Sequence, residues 1–415
     1  MLMKDVCILG LGYVGYPLAV LAQENGFNVK GLDLDQGKLD LISKGVDPVT
    51  KEKNGVSFPV AKDDHLFVSG ADVVIICVPT PVDKTKMPDL GPVKGACEAV
   101  AKNLDSARKP VVIVESTINP GVMEDVVKPL FEGHGRVVGE DVFLAHCPER
   151  INPGDLKWHV GNIPRVLGAF TKEGLDKAYG FYTSILEGEV KKMSNIRTAE
   201  ACKVVENAFR DINIAFVNEL ARSFEMLDID VVEVIDGAST KPFAFMAHYP
   251  GCGVGGHCIP VDPYYLIERA KTKGFDHRFL KLAREINESM PEHAVSLLAD
   301  ALNERRMSVN GTTVGLLGLS YKADVGDDRE SPSYRILEFL QRKGAVVVTH
   351  DPHLACDDPD LEALQGRCDV LLLATNHKEY RDLDFSKVKV LVDGRNMFAR
   401  QELPADLTYR GVGRH

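Results

Sequence analysis

The first thirty-three residues constrain the fold of this chain more than any other part of it. An apolar segment, "VCIL", precedes three glycines spaced as G-x-G-x-x-G at Gly10, Gly12 and Gly15. Apolar residues then recur at helical spacing as far as Gly26, a residue that suits a helix C-cap, and the segment "NVKGLD" ends at Asp33. The order of strand, glycine turn, helix, strand and acid predicts a Rossmann-type βαβ unit.

Each part of this unit has a physical role in holding a dinucleotide. Gly10 permits the tight turn, Gly12 lets the backbone approach a pyrophosphate, and Gly15 allows close packing of helix on strand. The pyrophosphate would rest on the N–H groups at the start of the helix. Asp33 can bind the ribose hydroxyls and would repel a 2′-phosphate, so we expect NAD rather than NADP. The alternative is a glycine turn that binds nothing.

Polar residues follow three further apolar segments in the amino-terminal half. These segments are residues 71–81, 110–121 and 141–154. Ligands of a doubly wound sheet lie at the carboxyl ends of its strands, which makes the polar residues there candidates for chemistry. Loop capping is the alternative role for each of them. The candidates are Thr80, Glu115, Ser116, Thr117 and Glu149.

The segment 195–228 contains neither proline nor glycine and predicts one long helix. Lys203 and Asn207 are four residues apart and share a face, and Arg210 follows three residues later. Small residues between them favour a packed polar seam, and a solvated stripe is the alternative. A helix of this length needs a covering surface, for which a second copy of the chain is a natural candidate.

The stretch "YPGCGVGGHCIPVDPYYL", residues 249–266, raises the question of what Cys258 does. It could be a nucleophile, a metal ligand, half of a disulfide or an ordinary thiol. The nine cysteines include no C-x-x-C pair, which indicates free thiols. His257 and Cys258 have no obvious second pair of zinc ligands, so we expect no metal. Asp262 and Pro263 suit the cap and first residue of a following helix.

The carboxyl-terminal part repeats the alternation of strands and helices. An apolar segment runs into Gly315 and Gly318, and a later strand ends at Asp351. The spacing G-x-G-x-x-G is absent here, which makes a second cofactor site less favoured. Three cations suit phosphate, with solvated loop charges as the alternative: Lys322, Arg329 and Arg395.

The chain is therefore predicted to be an α/β protein with three domains. These are an N-terminal Rossmann-type dinucleotide-binding domain at residues 1–195, a central long-helix domain at 196–306 and a smaller Rossmann-like α/β domain at 307–415. The net charge of −11 argues against a nucleic-acid surface. No apolar run approaches the roughly 20 residues that span a bilayer, so we expect no membrane partner and a cytoplasmic location.

Several segments in the same order resemble the nucleotide-sugar 6-dehydrogenases, the UDP-sugar dehydrogenases that make uronic acids. The resemblance runs nearly end to end. It rests on the segments "GLGYVG", "VPTP", "ESTINPG", "CPER", the helix with Lys203, Asn207 and Arg210, "PGCGVGGHCIPVDP", "GLSYKADVGDDRESP" and "DGRN".

Within that family the chain is most similar to the UDP-N-acetylhexosamine dehydrogenases. Glucose enzymes typically have a G-G-S-C-x-P-K-D loop, whereas residues 255–262 here read "GGHCIPVD" without the lysine. "CPER" followed by "NPG" resembles the acetamido-sugar branch. "STKPFAFMAHYPG" resembles the N-acetylglucosamine subgroup, because residues 241–243 depart from the His-Pro-Arg of the mannosamine subgroup. Mannosamine and glucose versions are the alternatives.

The resemblance implies a four-electron oxidation of C6 with NAD, through a thiohemiacetal and a thioester on Cys258. It implies that Lys203 and Asn207 stabilise an oxyanion, that Glu149 and Thr117 position or activate water, and that Asp262 orients water or the lysine. The first general base is left open. The implied NAD contacts are Gly10, Gly12, Tyr13, Val14, Gly15, Asp33, Lys38, Thr80, Thr117 and Arg329. The implied UDP-sugar contacts are Glu149, Arg150, Lys203, Asn207, Arg210, Tyr249, Gly251, Gly255, Lys322 and Arg395.

Two other classes of protein are compatible with parts of the sequence. A nicotinamide-binding regulatory protein without turnover would share the dinucleotide domain and the long helix, but it would not need Thr117, Glu149, Lys203, Asn207, Cys258 and Asp262 together. A two-electron 3-hydroxyacid dehydrogenase would share the lysine and asparagine on a helix. It would have no use for Cys258 or for a second α/β domain.

Overall fold

The computed structural model describes residues 4–82, 88–151, 157–400 and 403–414. They form two compact units. The first contains residues up to 206 together with 264–273, and the second contains residues 207–263 together with those from 274 onward. The Asn-Pro-Gly sequence at 152–154, part of the segment considered above, lies outside the described residues.

The first unit is built on a sheet with the strand order β3-β2-β1-β4-β5-β6-β7-β8. Neighbouring strands are parallel except β6 and β7, which are antiparallel. The central strands are apolar and buried on both faces, as expected for a sheet covered by helices on both sides. The strands are β1 Asp5–Leu9, β2 Asn28–Leu32, β3 Val60–Ala61, β4 Val73–Ile76, β5 Val111–Val114, β6 Phe143–His146, β7 Arg165–Ala169 and β8 Val190–Lys192.

Helices connect these strands, and their ends follow from the sequence. Asp35 caps α2 by accepting the N–H groups of Gly37 and Lys38. Gly26 follows the end of α1 with φ of 84°, as its predicted role at the helix end requires. The helices are α1 Gly15–Glu24, α2 Gln36–Ser43, α3 His65–Ser69, α4 Gly91–Asn103, α5 Lys128–Gly133, which follows a π-helical turn at Met123–Val127, and α6 Lys172–Ile185.

Two helices contain residues of both units. The long helix predicted at 195–228 is α7, Ile196–Leu227, and Asp228 after it adopts a left-handed φ of 56°. The helix α9 is Asp262–Lys271. It begins at Asp262 itself, one residue earlier than the predicted start at Pro263. The helix α8, Val231–Ser239, lies between them and is capped by Asp230.

The second unit contains a parallel sheet with the order β10-β9-β11-β12-β13. The helix α10, Arg278–Glu304, packs on this sheet through Ala294, Leu298 and Ala301, which are buried. Truncating a leucine in such a core typically costs ~2–5 kcal/mol. The strands are β9 Thr313–Leu317, β10 Val346–His350, β11 Val370–Leu373, β12 Val390–Asp393 and β13 Thr408–Gly411, and the remaining helices are α11 Pro332–Arg342 and α12 Leu361–Arg367.

All nine cysteines lie among the described residues, and each is a free thiol. Burial raises the pKa of four of them to about 12, which keeps these thiols protonated at neutral pH: Cys7, Cys97, Cys147 and Cys252. Cys258, in contrast, is only half-buried. Within the described ranges, no helix combines the length and the apolar character needed to cross a bilayer.

Candidate active site

Three glycines after β1 shape the turn predicted to bind a dinucleotide. Gly10 has a φ of 91°, and a Cβ there would lie 2.6 Å from the carbonyl oxygen of Cys77. A Cβ on Gly15 would lie 1.9 Å from the carbonyl oxygen of Gly10, so the fold itself requires both glycines. A Cβ on Gly12 would meet no atom within 4 Å. The fold therefore leaves space beside Gly12, where a ligand can approach the backbone.

The start of α1 provides an uncapped helix end beside this turn. No side chain at Val14 caps the helix, and Tyr13 is exposed. The N-terminus of a helix carries a partial positive charge, which suits a pyrophosphate. The glycine turn and this helix end together fit NAD.

Asp33 lies at the carboxyl end of β2 and holds the turn from the other side. Its Oδ2 accepts the N–H of Leu11 at 2.7 Å and lies 3.1 Å from Nζ of Lys38. Its Oδ1 accepts the N–H of Asp35 at 2.9 Å. The side chain remains 9% exposed, so part of the carboxylate can still meet a ribose hydroxyl. Lys38, one of the implied NAD contacts, therefore lies beside Asp33.

The other predicted NAD contacts lie in different places. Thr80 is buried, and its carbonyl oxygen accepts the hydroxyl of Tyr265. Thr117 is half-buried and follows β5 closely. Arg329 belongs to the second unit, where its guanidinium pairs with Asp327 at 2.6 Å. Its contact with NAD stays a prediction.

Glu149 is part of a buried charge network in the first unit. Its Oε2 lies 2.5 Å from Nη2 of Arg165, whose Nη1 contacts Glu115 at 3.1 Å. Tyr182 donates its hydroxyl to Glu115. Burial raises the pKa of Glu115, and the charge of Arg165 opposes that shift. Glu149 and Glu115 were identified from the sequence, whereas Arg165 and Tyr182 were missed. The sequence feature that could have indicated a buried Arg165 is its position at the start of the apolar segment "RVLGAF".

The predicted polar seam on α7 is only partly packed. Asn207 is buried, and its Nδ2 donates to Oδ2 of Asp262 at 2.6 Å. Lys203, one turn earlier, is half-buried. Arg210 is exposed in this chain, so the prediction of a packed seam is wrong at that residue. The residues that the fold covers on this part of the helix are Asn207, Ala208 and Asp211.

Cys258 lies in the turn that leads into α9. Its carbonyl oxygen accepts the N–H of Val261 at 3.1 Å and that of Asp262 at 2.9 Å. Burial, with a smaller contribution from Arg329, lowers the pKa of the neighbouring His257, so this imidazole is uncharged at neutral pH. A thiolate at Cys258 would therefore depend on other cations or on main-chain N–H groups.

The glycine loop before Cys258 packs tightly against the carboxyl ends of strands in the second sheet. A Cβ on Gly251 would lie 2.7 Å from Nη1 of Arg395, and one on Gly255 would lie 2.6 Å from Cβ of Tyr321. The N–H of Gly256 donates to the carbonyl oxygen of Arg329 at 2.9 Å. The loop therefore requires glycine for steric reasons, and it brings the predicted contacts Gly251, Gly255 and Arg395 together.

Buried polar side chains on α7 and α10 anchor this loop. The N–H of Gly251 donates to Asn218 at 3.0 Å, and Asn218 donates to Asn287 at 2.9 Å. Asn287 donates in turn to Asp211 at 2.8 Å, which also pairs with Arg284 at 2.6 Å. This chain of bonds fixes the position of the loop relative to the helix that carries Asn207.

The remaining predicted substrate contacts already have partners in the chain. Arg150 pairs with Glu206 at 2.7 Å, and the hydroxyl of Tyr249 donates to Asp236 at 2.6 Å. Lys322 is half-buried in the loop that follows β9. These partners would have to share or release Arg150 and Tyr249 if a substrate binds them.

One group of side chains in the second unit has a composition that can bind metals. Ligand atoms of Asp324, His353, His377 and Glu379 lie within 4.8 Å of one another. Both nitrogens of the buried His377 are engaged, however. Nδ1 accepts the N–H of Asp324 at 3.0 Å, and Nε2 lies 3.2 Å from Asp351. This arrangement stabilises the loop after β9, and the expectation that metal is not required stays a prediction.

Family models match three successive parts of the chain. In the UDP-glucose/GDP-mannose dehydrogenase family, the NAD binding domain matches residues 4–186, the central domain 197–289 and the UDP binding domain 315–400. The predicted three-domain α/β architecture and the NAD cofactor are therefore confirmed. The predicted domain boundaries at 195 and 306 stay predictions.

Individual relatives agree with the family models over nearly the whole chain. The chain is 34% identical to a UDP-N-acetyl-D-mannosamine dehydrogenase of Pyrococcus horikoshii over 99% of both proteins. It is 36% identical to a UDP-N-acetyl-D-glucosamine 6-dehydrogenase of Pseudomonas aeruginosa over 94% of both. The solved structure of the UDP-D-ManNAc dehydrogenase from Pyrococcus horikoshii matches with a TM-score of 0.92 at 33% identity, covering 99% of each chain. The chain thus belongs to the UDP-glucose/GDP-mannose dehydrogenase family, whose members are NAD-dependent sugar-nucleotide dehydrogenases.

Proposed function

We propose that this protein oxidises C6 of a UDP-N-acetylhexosamine, UDP-N-acetylglucosamine in the first instance, to the uronic acid. The observation that carries the proposal is the arrangement at the start of α9. There Asp262 accepts a hydrogen bond of 2.6 Å from Asn207, and its N–H is bonded to the carbonyl oxygen of Cys258. Asp262 is thus bonded both to the main chain of Cys258 and to the amide of Asn207, and a thiol, an amide donor and a carboxylate on such residues suit covalent chemistry at a carbonyl carbon.

The proposed reaction removes two hydrides from one carbon atom. Bound NAD supplies the hydride acceptor for both oxidations. The C6 alcohol first loses a hydride and its hydroxyl proton, which gives an aldehyde. The thiolate of Cys258 then forms a C–S bond with C6, and loss of a second hydride from the thiohemiacetal gives a thioester. One water breaks the C–S bond and releases the carboxylate, so two NAD molecules are reduced per sugar.

The remaining residues have separate roles in this scheme. Lys203 and Asn207 donate to the oxygen on C6 as negative charge develops there, a contribution typically worth ~2.7–4 kcal/mol per donor. Glu149 and Thr117 orient the water that hydrolyses the thioester. Asp262 fixes the amide of Asn207, because the bond between them leaves its NH₂ group one orientation. The contrast with the buried thiols supports Cys258 as the nucleophile.

The second sheet is proposed to hold the UDP part of the substrate. Arg395 lies against Gly251, where the guanidinium can pair with a diphosphate, and Lys322 lies in the loop after β9. The configuration at C2 of the sugar distinguishes the two candidate substrates, UDP-N-acetylglucosamine and UDP-N-acetylmannosamine. The segment at 241–243 favours the glucosamine epimer, whereas the 34% identity to the mannosamine enzyme over 99% of the chain supports UDP-N-acetylmannosamine as the second candidate.

We also propose a homodimer formed through α7. Three apolar side chains on this helix are exposed in the single chain, namely Val205 at 53%, Phe209 at 47% and Phe216 at 53%. Their spacing of four and seven residues places them on one face. Phe209→Asp combined with Phe216→Asp should shift the mass measured by light scattering from dimer to monomer. An unchanged dimer would contradict this interface.

The reaction is expected in the cytoplasm, where free thiols persist.

The test of the reaction is an NADH assay with four substrates. These are the UDP derivatives of glucose, N-acetylglucosamine, N-acetylgalactosamine and N-acetylmannosamine. We expect two NADH per UDP-N-acetylglucosamine consumed and formation of the uronic acid. Activity on UDP-glucose alone would refute the acetamido-sugar proposal, and NAD binding without NADH from any substrate would favour a regulatory protein.

A substitution of Cys258 tests the thioester route directly. Cys258→Ser should abolish uronic acid formation and stop at the aldehyde. Cys356→Ser is the matched control, because Cys356 is also half-buried, and a hydroxyl can keep its bond to the carbonyl oxygen of Asp358. Normal uronic acid production by Cys258→Ser would rule out the covalent route.

A further inference from the structure

The carboxylate of Glu149 is held by more hydrogen bonds and ion pairs than a carboxylate on the protein surface usually is. Its Oε1 accepts the N–H of Arg150 at 2.6 Å and that of Ile151 at 2.7 Å. Its Oε2 lies 2.5 Å from Nη2 of Arg165 and is buried, and among the described residues it has no further hydrogen bond. A carboxylate has about four lone-pair positions, two on each oxygen. Both positions on Oε1 are therefore used, and one position on Oε2 remains.

Arg165 is itself held in place on its other side. The guanidinium is 1% exposed, and its Nη1 contacts Oε2 of Glu115 at 3.1 Å. It also lies over the ring of Tyr182, with Cζ 5.6 Å from the ring centroid. The hydroxyl of Tyr182 donates to Glu115. Arg165 thus cannot follow Glu149 if that side chain moves, because a second buried carboxylate fixes it.

The main chain adds to this restraint. Arg165 is the first residue of β7, and its N–H donates to the carbonyl oxygen of Glu189 at 2.8 Å. Glu115 directly follows β5, and its N–H donates to the carbonyl oxygen of Ile76 at 2.9 Å. Arg165 and Glu115 are therefore held at the ends of two strands of one sheet, and Tyr182 lies on α6. Groups on strands hold a position more accurately than groups on loops.

We propose that Arg165 is a positioning residue, which with Glu115 and Tyr182 fixes Glu149 so that the remaining lone pair of Oε2 accepts the hydrogen bond of the hydrolytic water. This inference rests on the proposed thioester route. Hydrolysis of the acyl group on Cys258 is the step that depends on Arg165. Hydride removal and UDP-sugar binding do not depend on this arginine. Displacement of a positioned group by about 1 Å can cost a hundredfold in rate.

The test is Arg165→Lys, which keeps the charge but cannot reach both carboxylates with a fixed fork. We expect kcat to fall about 10–100-fold, as for a displacement of this size. KM for the UDP-sugar should stay within about threefold, because Glu149 is the one implied substrate contact with which Arg165 is seen to pair. The first turnover should still release NADH as a burst. Mass spectrometry should detect the sugar acyl group on Cys258, which the wild-type protein hydrolyses too fast to accumulate.

Arg108→Lys is the matched control. Arg108 also bridges two carboxylates of the first unit, Asp5 at 2.8 Å and Asp72 at 3.0 Å, but on the surface. It should show wild-type kinetics. If Arg165→Lys does not fold, Tyr182→Phe removes only the hydroxyl that holds Glu115, and we expect a smaller effect in the same direction with the acyl adduct present.

The outcomes separate the two proposals. Wild-type kcat in the folded Arg165 or Tyr182 variant, or loss of kcat and KM together without an acyl adduct, overturns the positioning role and leaves the proposed function intact. If the wild-type protein releases no NADH from any UDP-sugar, both proposals fail together. A decrease in kcat with a persistent burst and the adduct supports both.

Discussion

The first strand of each of the two sheets is followed by a similar glycine turn, but the two turns are used differently. β1 is followed by Gly10 with φ of 91°, and β9 is followed by Gly318 with φ of 90°. The connection to the next helix comprises residues 10–14 in the first sheet and residues 318–331 in the second. The short connection presents main-chain groups and a helix end to a ligand, whereas the long one brings side chains such as Lys322 to the same edge of its sheet.

The aspartates at the ends of the second strands differ in the same way. Asp33 accepts the N–H of Leu11 at 2.7 Å, and Asp351 accepts the N–H of Leu319 at 2.8 Å. The Asp33 side chain is 9% exposed, and that of Asp351 is fully buried. Further donors to Asp351 are the N–H groups of Ser320 and His353, the hydroxyl of Ser320 and Nε2 of His377. An acid at this position can serve a ligand only where the fold leaves part of it exposed.

The largest expected effect is that of Asp351→Ala on stability. The substitution leaves several buried donors without an acceptor, each typically costing ~1–3 kcal/mol. We expect the free energy of unfolding of the second unit to fall by about 3–5 kcal/mol. Urea denaturation with hydrogen exchange of β9 and β10 amides measures it. Asp360→Ala is the control, because its carboxylate caps α12 at the surface and should cost ~1 kcal/mol. Equal losses in the two variants would contradict the comparison.

Asp33→Ala should affect binding more than stability. The carboxylate is proposed to accept ribose hydroxyls, and a hydrogen bond to a charged group is worth ~1.5–3 kcal/mol, so Kd for NAD should rise about 10–100-fold. Calorimetric titration with NAD measures this. Asp35→Ala should leave the affinity nearly unchanged, because Asp35 caps α2. A wild-type Kd for Asp33→Ala would remove Asp33 from the NAD site.

The pH dependence of stability should sharpen the contrast further. Burial alone raises the pKa of Asp351, but hydrogen bonds from His377, Ser320 and His353 outweigh it and hold the pKa well below its usual range. A carboxyl with a depressed folded-state pKa stabilises the protein above its unfolded pKa of ~3.9 and loses this contribution as the pH falls through the folded pKa. The stability difference between wild type and Asp351→Asn should therefore be constant near neutrality and shrink below about pH 4. Denaturation midpoints across pH would refute this if the difference grew on acidification.

The smallest expected effect is that of Lys38→Ala. Its ammonium group lies 3.1 Å from Asp33 but is 33% exposed, and such pairs contribute ~0–1 kcal/mol. We expect a change of less than ~1 kcal/mol in unfolding free energy, reduced further in 1 M salt. Thermal denaturation at low and high salt measures it. A loss as large as that of Asp351→Ala would show that Asp33 needs a cation to keep its place.

The parts of this structure that the sequence predicts are those encoded locally. The glycine spacing predicts the turn at Gly10 to Gly15, and the absence of breakers predicts α7, because helix and turn signals lie within a few residues of each other. The buried role of Arg165 was not predictable in this way. Its partners Glu115 and Glu149 follow the ends of other strands, and only the folded sheet brings them together. The exposure of Arg210 likewise depends on which face of α7 the fold covers.

The glycine loop before Cys258 has a consequence for protein synthesis. Besides Asn218 on α7, three residues that fix it come later in the chain, namely Asn287 on α10, Tyr321 after β9 and Arg395 after β12. A ribosome-bound chain that has emerged only as far as Cys258 therefore already contains the complete dinucleotide turn, but it cannot yet hold the loop before Cys258 in place. The loop before Cys258 should consequently reach its final position in a nascent chain only after β12 and Arg395 have left the exit tunnel.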